Sequence, residues 1–338
     1  MLDVKVKIDL TRPAGILGFG YPLIVSAIEL TPGVGETNLP ATHYTVCSSL
    51  DDVAAAEIGT ETILYKTVAL LLSQNNAPEK FAIAVIEEIT EEHLSSVIGE
   101  DWRQLIIAEK TENLSLKDIA TYIETTDKVF FTSVANDGEE ANLKGKDRTV
   151  VVYYEGDADG ACPEAALVGA TAGLDVGSFT YKNIILKGLD PLELSDAEIA
   201  EFTNNNVITV VEKAGDIVTT EGKSMNGEYI DIIDSKDYIV QQITYRTQKL
   251  LNQSAKIPYD NNGIAMLESV VVDVLQDCFN KGMIAVKEDG APAYSVEFAL
   301  REDSDAADIA ARKYLGGQFT FTLAGAIHEV EITGEITL

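Results

Sequence analysis

The chain has 338 residues, 46% of them hydrophobic and 24% charged, the balance of a globular protein long enough for two or three domains with substantial cores. Its formal net charge of −30 repels phosphate backbones and anionic headgroups, which argues against nucleic acid and membrane surfaces as partners. No apolar run reaches the ~18 residues of a membrane span, the start lacks a signal-peptide apolar region, and Cys47, Cys162 and Cys278 are too few and too scattered for a disulfide framework, so reduced thiols in a cytoplasmic setting are expected.

In MLDVKVKIDL, Val4, Val6, Ile8 and Leu10 alternate with Lys5, Lys7 and Asp9, the period-two pattern of a strand with one apolar face. Two Gly/Pro-rich connectors follow, PAGILGFGYP and TPGVGETNLP. From 45 to 135 helical and strand signals alternate. SSLDDVAAAEIG is a helix capped by Ser48 or Ser49, and TETILYKTVALLLSQ is a longer buried one. FAIAVI, WRQLIIAE and KVFFTSV read as apolar strands, separated by the helices TEEHLSSVIG and LSLKDIATYIETT. RTVVVYYE continues the strands and CPEAALVGATAG the helices, YKNIILKGL is extended, and Ser195 with Glu198 forms a capping box for the next helix. ITVVEKAGDIVTTEG reads as a hairpin. Strands alternating with helices of this length indicate parallel βαβ units.

From about residue 226 the pattern changes. GEYIDI is expected to be a strand leading into a long amphipathic helix, and a second helix stops at Gly282. MIAVKE and YSVEFAL read as strands, 304–315 as a helix, and the closing stretch alternates again through Phe319, Phe321, Leu323, Val330, Ile332, Ile336 and Leu338. The expected fold is thus α/β followed by α+β: a mostly parallel βαβ core, a mixed C-terminal domain, and extended strand arms at both ends. The boundaries assigned are an N-terminal arm and connector over 1–30, an α/β domain over 31–225, a C-terminal α+β domain over 226–317, and a C-terminal strand arm over 318–338.

Catalytic and ligand motifs are thin. Gly222-Lys223-Ser224 resembles the end of a phosphate loop, but position 217 is Ile217 where the loop needs glycine. GILGFG lies within a Pro-flanked connector and not between a strand and a helix. Asp157 and Asp159 open a calcium-like run whose bidentate Glu position is Val168. His43, His93 and His328 stand in no recognisable nucleophile motif. No catalytic residue, cofactor or metal is therefore assigned.

Two stretches carry a family resemblance: YTVCSSLDDVAAAEIGTETILYKTVALLLSQNNAPEKFAIAVI over 44–86 and NGEYIDIIDSKDYIVQQITYRTQKLLNQSAKIPYDNNGIAMLESVVVDVLQDCFNKGMI over 226–284. The Ser-Leu-Asp-Asp-Val-Ala helix, the apolar helix ending in Ser-Gln, and Lys256-Ile257-Pro258-Tyr259 before a Gly263-led helix together resemble the tail sheath proteins of contractile phages and phage-tail-like particles. The resemblance implies a non-enzymatic subunit in hexameric rings stacked helically around an inner tail tube, with baseplate and terminator proteins as partners. It implies a virion or particle tail, assembled in the bacterial cytoplasm and contracting from a metastable extended state. It also implies that both arms, Val4 to Leu10 and Phe319 to Leu338, are lent to neighbouring subunits. Gly15, Gly18, Gly20, Gly316 and Gly317 are expected as hinges, and Arg312 and Lys313 as the contact to the tube. An α/β enzyme of hydrolase type with an unidentified site, and another self-assembling structural protein, remain as alternatives.

Overall fold

A computed structural model describes residues 19–27, 42–110, 114–136, 138–155, 162–328 and 330. Val4, Val6, Ile8, Leu10, Gly15, Gly18, Asp157, Asp159, Ile332, Ile336 and Leu338 lie outside the described residues. The chain divides into two compact units, residues 1–252 and 253–338.

The first unit is built on an eight-stranded sheet. Its strands are β1 (Tyr21–Ala27), β2 (Thr42–Cys47), β3 (Phe81–Ile86), β4 (Trp102–Ile107), β5 (Val129–Val134), β6 (Thr149–Tyr153), β7 (Ile208–Lys213) and β8 (Asp216–Thr219). They lie in the order β2-β3-β1-β4-β5-β6-β7-β8. The six central strands run parallel, and β2 and β8 add antiparallel edges. Parallel strands are covered on both faces, which is why FAIAVI and WRQLII are buried at every position. Alternate residues feed two cores. Ile24, Ile83, Ile106, Phe131 and Val150 meet α2 (Ile63–Leu72) and α5 (Pro163–Thr171) on one face. Leu23, Ala82, Leu105, Phe130 and Val151 share the other with α3 (Glu91–Ser95), α4 (Leu116–Ile123) and α6 (Asp196–Asn204). The mostly parallel core expected from the sequence is present, and so is the capping box of Ser195 with Glu198 on α6; the cap of α1 (Leu50–Ala55) is Ser49, which forms a further box with Asp52. The β7–β8 hairpin turns through Ala214 (φ 55°) and Gly215 (φ 90°), both left-handed as a two-residue primed turn requires.

Three corrections concern this unit. The assigned N-terminal arm over 1–30 contains β1, a strand at the middle of the sheet with five consecutive buried residues. Its flanking glycines and Pro22 hid a short apolar run inside what reads as a connector. His43, outside the elements read from the sequence, lies in the edge strand β2. The expected strand GEYIDI is instead a turn at Gly227 followed at once by α7 (Ile230–Gln253). Ile230, Ile233, Asp234, Asp237, Val240 and Ile243 are buried at helical spacing, and over six residues that spacing is indistinguishable from strand alternation.

Helix α7 is fixed to the sheet by charge. Arg103 of β4 meets Asp234 at 2.7 Å and Asp237 at 2.7 Å, and Arg148, just before β6, grips Asp237 at 2.8 and 3.1 Å. The Tyr181 hydroxyl donates to Asp234 at 2.8 Å, and Arg103 also donates to the Asp127 carbonyl. These side chains are all nearly closed to solvent. Burial alone would lower the Arg103 guanidinium, but Asp237 and Asp234 hold it well above its ordinary value. Burial likewise pushes the Asp237 carboxyl up, and the two arginines more than reverse this. This anchoring keeps α7 with the first compact unit, which runs to Asn252.

The second unit contains α8 (Asn261–Asn280), β9 (Tyr294–Phe298), the short α9 (Ala306–Ala310) and β10 (Gly317–Phe321). The Asp260 carboxylate caps α8 by accepting from the Gly263 amide at 2.9 Å. MIAVKE makes only isolated bridges, Ile284 with Leu323 and Val286 with Pro292, where a strand was expected. The α+β character expected of the C-terminal region holds.

Candidate assembly surface

The second unit is sparsely filled. Among the described residues its buried apolar side chains are Ile264, Val271, Val274, Leu275, Cys278, Met283 and Ile284, and neither core cluster of the molecule takes a residue beyond Ile230. Large apolar side chains are instead displayed: Met266, Val286, Leu300, Leu315, Ile327 and Val330 are exposed, against Val46 and Ile185 in the first unit. Leu315 is 73% exposed, Ile327 85% and Val330 74%, values that leave nearly the whole side chain in water.

Beside these residues lies a sheet of two strands. β9 and β10 pair antiparallel, Phe298 opposite Gly317, Val296 opposite Phe319, and Tyr294 opposite Phe321. Ser295 and Thr320 share a hydroxyl–hydroxyl bond of 2.7 Å on the exposed face, while Phe319 and Phe321 stack at 6.2 Å. The strand continues by two main-chain bonds, from the Ala285 amide to the Thr322 carbonyl and from the Ala324 amide to the Met283 carbonyl, each 2.8 Å. Tyr314 stacks on Phe298 at 5.7 Å and donates to the Ala299 carbonyl at 2.9 Å. Burial, with Tyr259 and Glu268 nearby, pushes its hydroxyl up to about 12. An isolated two-stranded sheet is marginal in water, and each strand here has a second edge that the other does not pair.

The comparisons with known proteins fall on both units. Residues 230–336 match the family model of the E217 tail sheath protein gp31-like C-terminal domain. Over nearly its whole length the chain also superposes on the contracted helical sheath of the anti-feeding prophage, with a TM-score of 0.68 at 13% identity, covering 99% of this chain and 98% of that one. The chain has the tail sheath fold. A chain of the anti-feeding prophage baseplate structure is similar at a TM-score of 0.70 and 14% identity, covering 99% of this chain and 98% of that one. The sheath tail protein of Desulfitobacterium hafniense is similar at 0.58 and 10%, covering 95% and 100%. No curated protein matches the sequence. The resemblance to tail sheath proteins read from 44–86 and 226–284 is thereby borne out.

The residues singled out in this sheath-fold chain are distributed as follows. Phe319 and Phe321 sit in β10, paired within their own chain; Leu323 bridges Ile284, and Val330 is exposed. The glycines expected as hinges and described are close-packed positions. A Cβ on Gly20 (φ 95°) would lie 2.4 Å from the Trp102 carbonyl carbon, one on Gly316 2.7 Å from Ala299, and one on Gly317 2.8 Å from the Phe298 ring. The helix expected over 304–315 ends at Ala310. Arg312 follows with φ 58°, its amide bonded to the Ile309 carbonyl and that of Lys313 to the Asp308 carbonyl, a helix-ending turn that normally takes glycine at this place. Both cations are exposed.

The weaker motifs resolve into ordinary structure. Lys223 of the Gly-Lys-Ser run bridges Tyr229 in a tight turn with Ser224 buried, and the His93 ring bonds the Thr90 hydroxyl at 2.9 Å where α3 begins. Among the described residues no three His, Cys, Asp or Glu side chains converge as metal ligands, and no helix is long and apolar enough to cross a membrane.

Proposed function

We propose that this chain is a structural subunit of a contractile injection apparatus, polymerising as stacked rings around an inner tube and contracting from a metastable extended state to drive that tube forward. The observation that carries the reading is the two-way match to a subunit of a contracted sheath, 99% of this chain against 98% of that one, which leaves no large domain of either unaccounted for. Similarity to a chain in a baseplate structure supports a baseplate partner. In this reading no nucleotide is consumed: the energy is stored at assembly and held behind a barrier, and domains shift as bodies on release. The particle is a phage tail or a phage-tail-like machine, assembled in the host cytoplasm and closed by terminator proteins.

Subunits are linked by lent strands. The ends carrying Val4, Val6, Ile8 and Leu10, and Val330, Ile332, Ile336 and Leu338, add to the open edges of the β9–β10 sheet of neighbouring copies, and the displayed Leu315 and Ile327 are covered in the process. Strand addition gives main-chain bonds worth ~1 kcal/mol each net, so a handful with apolar burial makes a link of several kcal/mol. Gly15, Gly18, Gly20, Gly316 and Gly317 border the segments that stay linked while subunits move. Arg312 and Lys313 meet an acidic tube surface.

Negative-stain microscopy of the full chain, mixed with its tube protein and baseplate, is the test. Tubes or stacked rings are expected, and a particle that stays monomeric under all these conditions overturns the reading. Deleting 325–338, which spares β10 and the Ala324–Met283 bond, is expected to leave a folded monomer; long tubes from it would remove the C-terminal arm from the account. Charge reversal at Arg312 and Lys313 is expected to weaken co-assembly with the tube while empty sheath still forms.

A further inference from the structure

The strand order has a reversal between β1 and β4: from β1 the chain goes outward to β3, then crosses back over β1 to β4 and on to the opposite edge. In open parallel sheets the gap beyond the carboxyl ends of the strands at such a point is where ligands sit. Here the protein fills it with its own acids. Glu109, two residues beyond β4, is 5% exposed and neither of its carboxylate oxygens makes a well-formed hydrogen bond. The groups beside it are the Ser26 hydroxyl at the end of β1 and the Leu64 amide in the first turn of α2. From α5 comes Glu164, fully buried, and from the residue before that helix the Cys162 thiol, which donates to the Ala108 carbonyl at 2.9 Å and feels both carboxylates. Among the described residues Lys110 is the one cation of the group. Its ammonium lies 2.5 Å from Glu164 and 2.8 Å from the Ser133 hydroxyl.

The charges do not balance if both acids ionise. Lys110 is committed to Glu164, whose other oxygen already lacks a partner. Among the described residues an ionised Glu109 would be a second buried anion with no cation against it, a state that costs far more than a neutral acid in the same place. Glu109, Glu164 and Cys162 are all buried, and a proton is the cation that needs no further room. Burial pushes the Glu109 carboxyl from its ordinary 4.5 up to about 7.

We propose that Glu109 is a proton-operated switch at the carboxyl edge of the central sheet, sealing the gap between β1, β4 and the first turn of α2 when neutral and drawing water into it when ionised. The device does not depend on the sheath reading. Because the folded value lies above the unfolded one, the stabilisation is complete below about pH 4.5 and is lost as pH rises toward about 7. Each pH unit in that window changes the unfolding constant tenfold, ~300-fold in all.

The test compares the full-length chain and its Glu109→Gln variant, kept dilute and monomeric, in denaturant titrations between about pH 4 and about pH 9. The wild type is expected to lose ~300-fold in folding constant relative to the variant over this range; parallel curves overturn the proposal. Hydrogen exchange resolves the place: amides in the first turn of α2 are expected to open more readily on the alkaline side in the wild type and not in the variant, and equal protection overturns the loosening. Should the variant fail to fold, infrared titration of the wild type decides, since a buried protonated carboxyl band persisting near neutral pH is required and its absence refutes the switch.

Discussion

Asp237 is the carboxylate on which two buried guanidinium groups converge, and removing it tests how α7 is held. Arg103 and Arg148 approach it at 2.7 and 2.8 Å from two neighbouring parts of the sheet. In Asp237→Ala, Arg103 keeps Asp234, but Arg148 loses the carboxylate it binds through both terminal nitrogens. Breaking a buried pair from one side costs about 3–5 kcal/mol, because the orphaned charge still bears its desolvation. For a unit of this size each kcal/mol lowers the melting temperature by about 2–4 °C, so a fall of roughly 6–20 °C is expected. The assay is a urea titration of the monomeric chain, with the midpoint moved and the slope kept. Asp237→Asn retains the shape and an acceptor and is expected to fall between the two. The folded Asp237 carboxyl is held below its ordinary value, so its contribution is present above the usual carboxylate range and disappears as pH falls through the folded value. The Asp237→Ala penalty is therefore expected to shrink in acid. A variant within about 0.5 kcal/mol of wild type at neutral pH would refute the reasoning.

Other perturbations follow from single residues. Gly20→Ala combines a left-handed backbone with a Cβ 2.4 Å from Trp102 main chain, and a loss of about 2–3 kcal/mol in the same titration is expected; no loss would mean that this approach is loose. Arg312→Gly relieves a side chain held at φ 58° and is expected to stabilise the second unit by about 1 kcal/mol, with a fall in stability contradicting the helix-ending turn. With a net charge of −30 per copy, polymer yield measured by sedimentation is expected to rise from low to moderate salt as repulsion is screened; a steady fall would show that attraction between charges dominates the contact.

Much of the first unit was legible because its elements obey one rule each. FAIAVI and WRQLII are short apolar runs that two covered faces demand, and Ser195 with Glu198 announces the start of α6. The failures have physical causes of the same kind. β1 has five consecutive buried residues against six in β3, yet Pro22 and the preceding glycine punctuate it like a loop, and its place beside β3 and β4 is set by long-range pairing. The first turn of α7 alternates well enough for a strand until Arg103 and Arg148 claim Asp234 and Asp237 three residues apart on one helical face. The shortness of α9 was hidden by alanines that favour a helix, and its end at Ala310 comes from a turn in which Arg312 takes the place of glycine. Glu109 carried no signal at all among 55 acidic residues, since only the fold buries it.

The two units differ in what they leave for other molecules. Among the described residues the first encloses its apolar strands in two cores and exposes Val46 and Ile185; the second, far shorter, exposes six large apolar side chains over a small buried set. If those side chains serve folding, replacing them should destabilise the monomer. If they serve contact between copies, it should not. Leu315→Ser with Ile327→Ser separates the cases, because residues 73% and 85% exposed contribute little to the monomer. A stability change within about 0.5 kcal/mol is expected for the pair of substitutions. Burying such a side chain against a neighbour is worth about 1.5–3 kcal/mol, which raises the concentration needed for polymerisation roughly tenfold to a hundredfold per position. The two numbers come from sedimentation of polymer and denaturation of monomer on one preparation. A variant that polymerises like wild type, or that unfolds while still failing to assemble, would place these side chains outside the contact between copies.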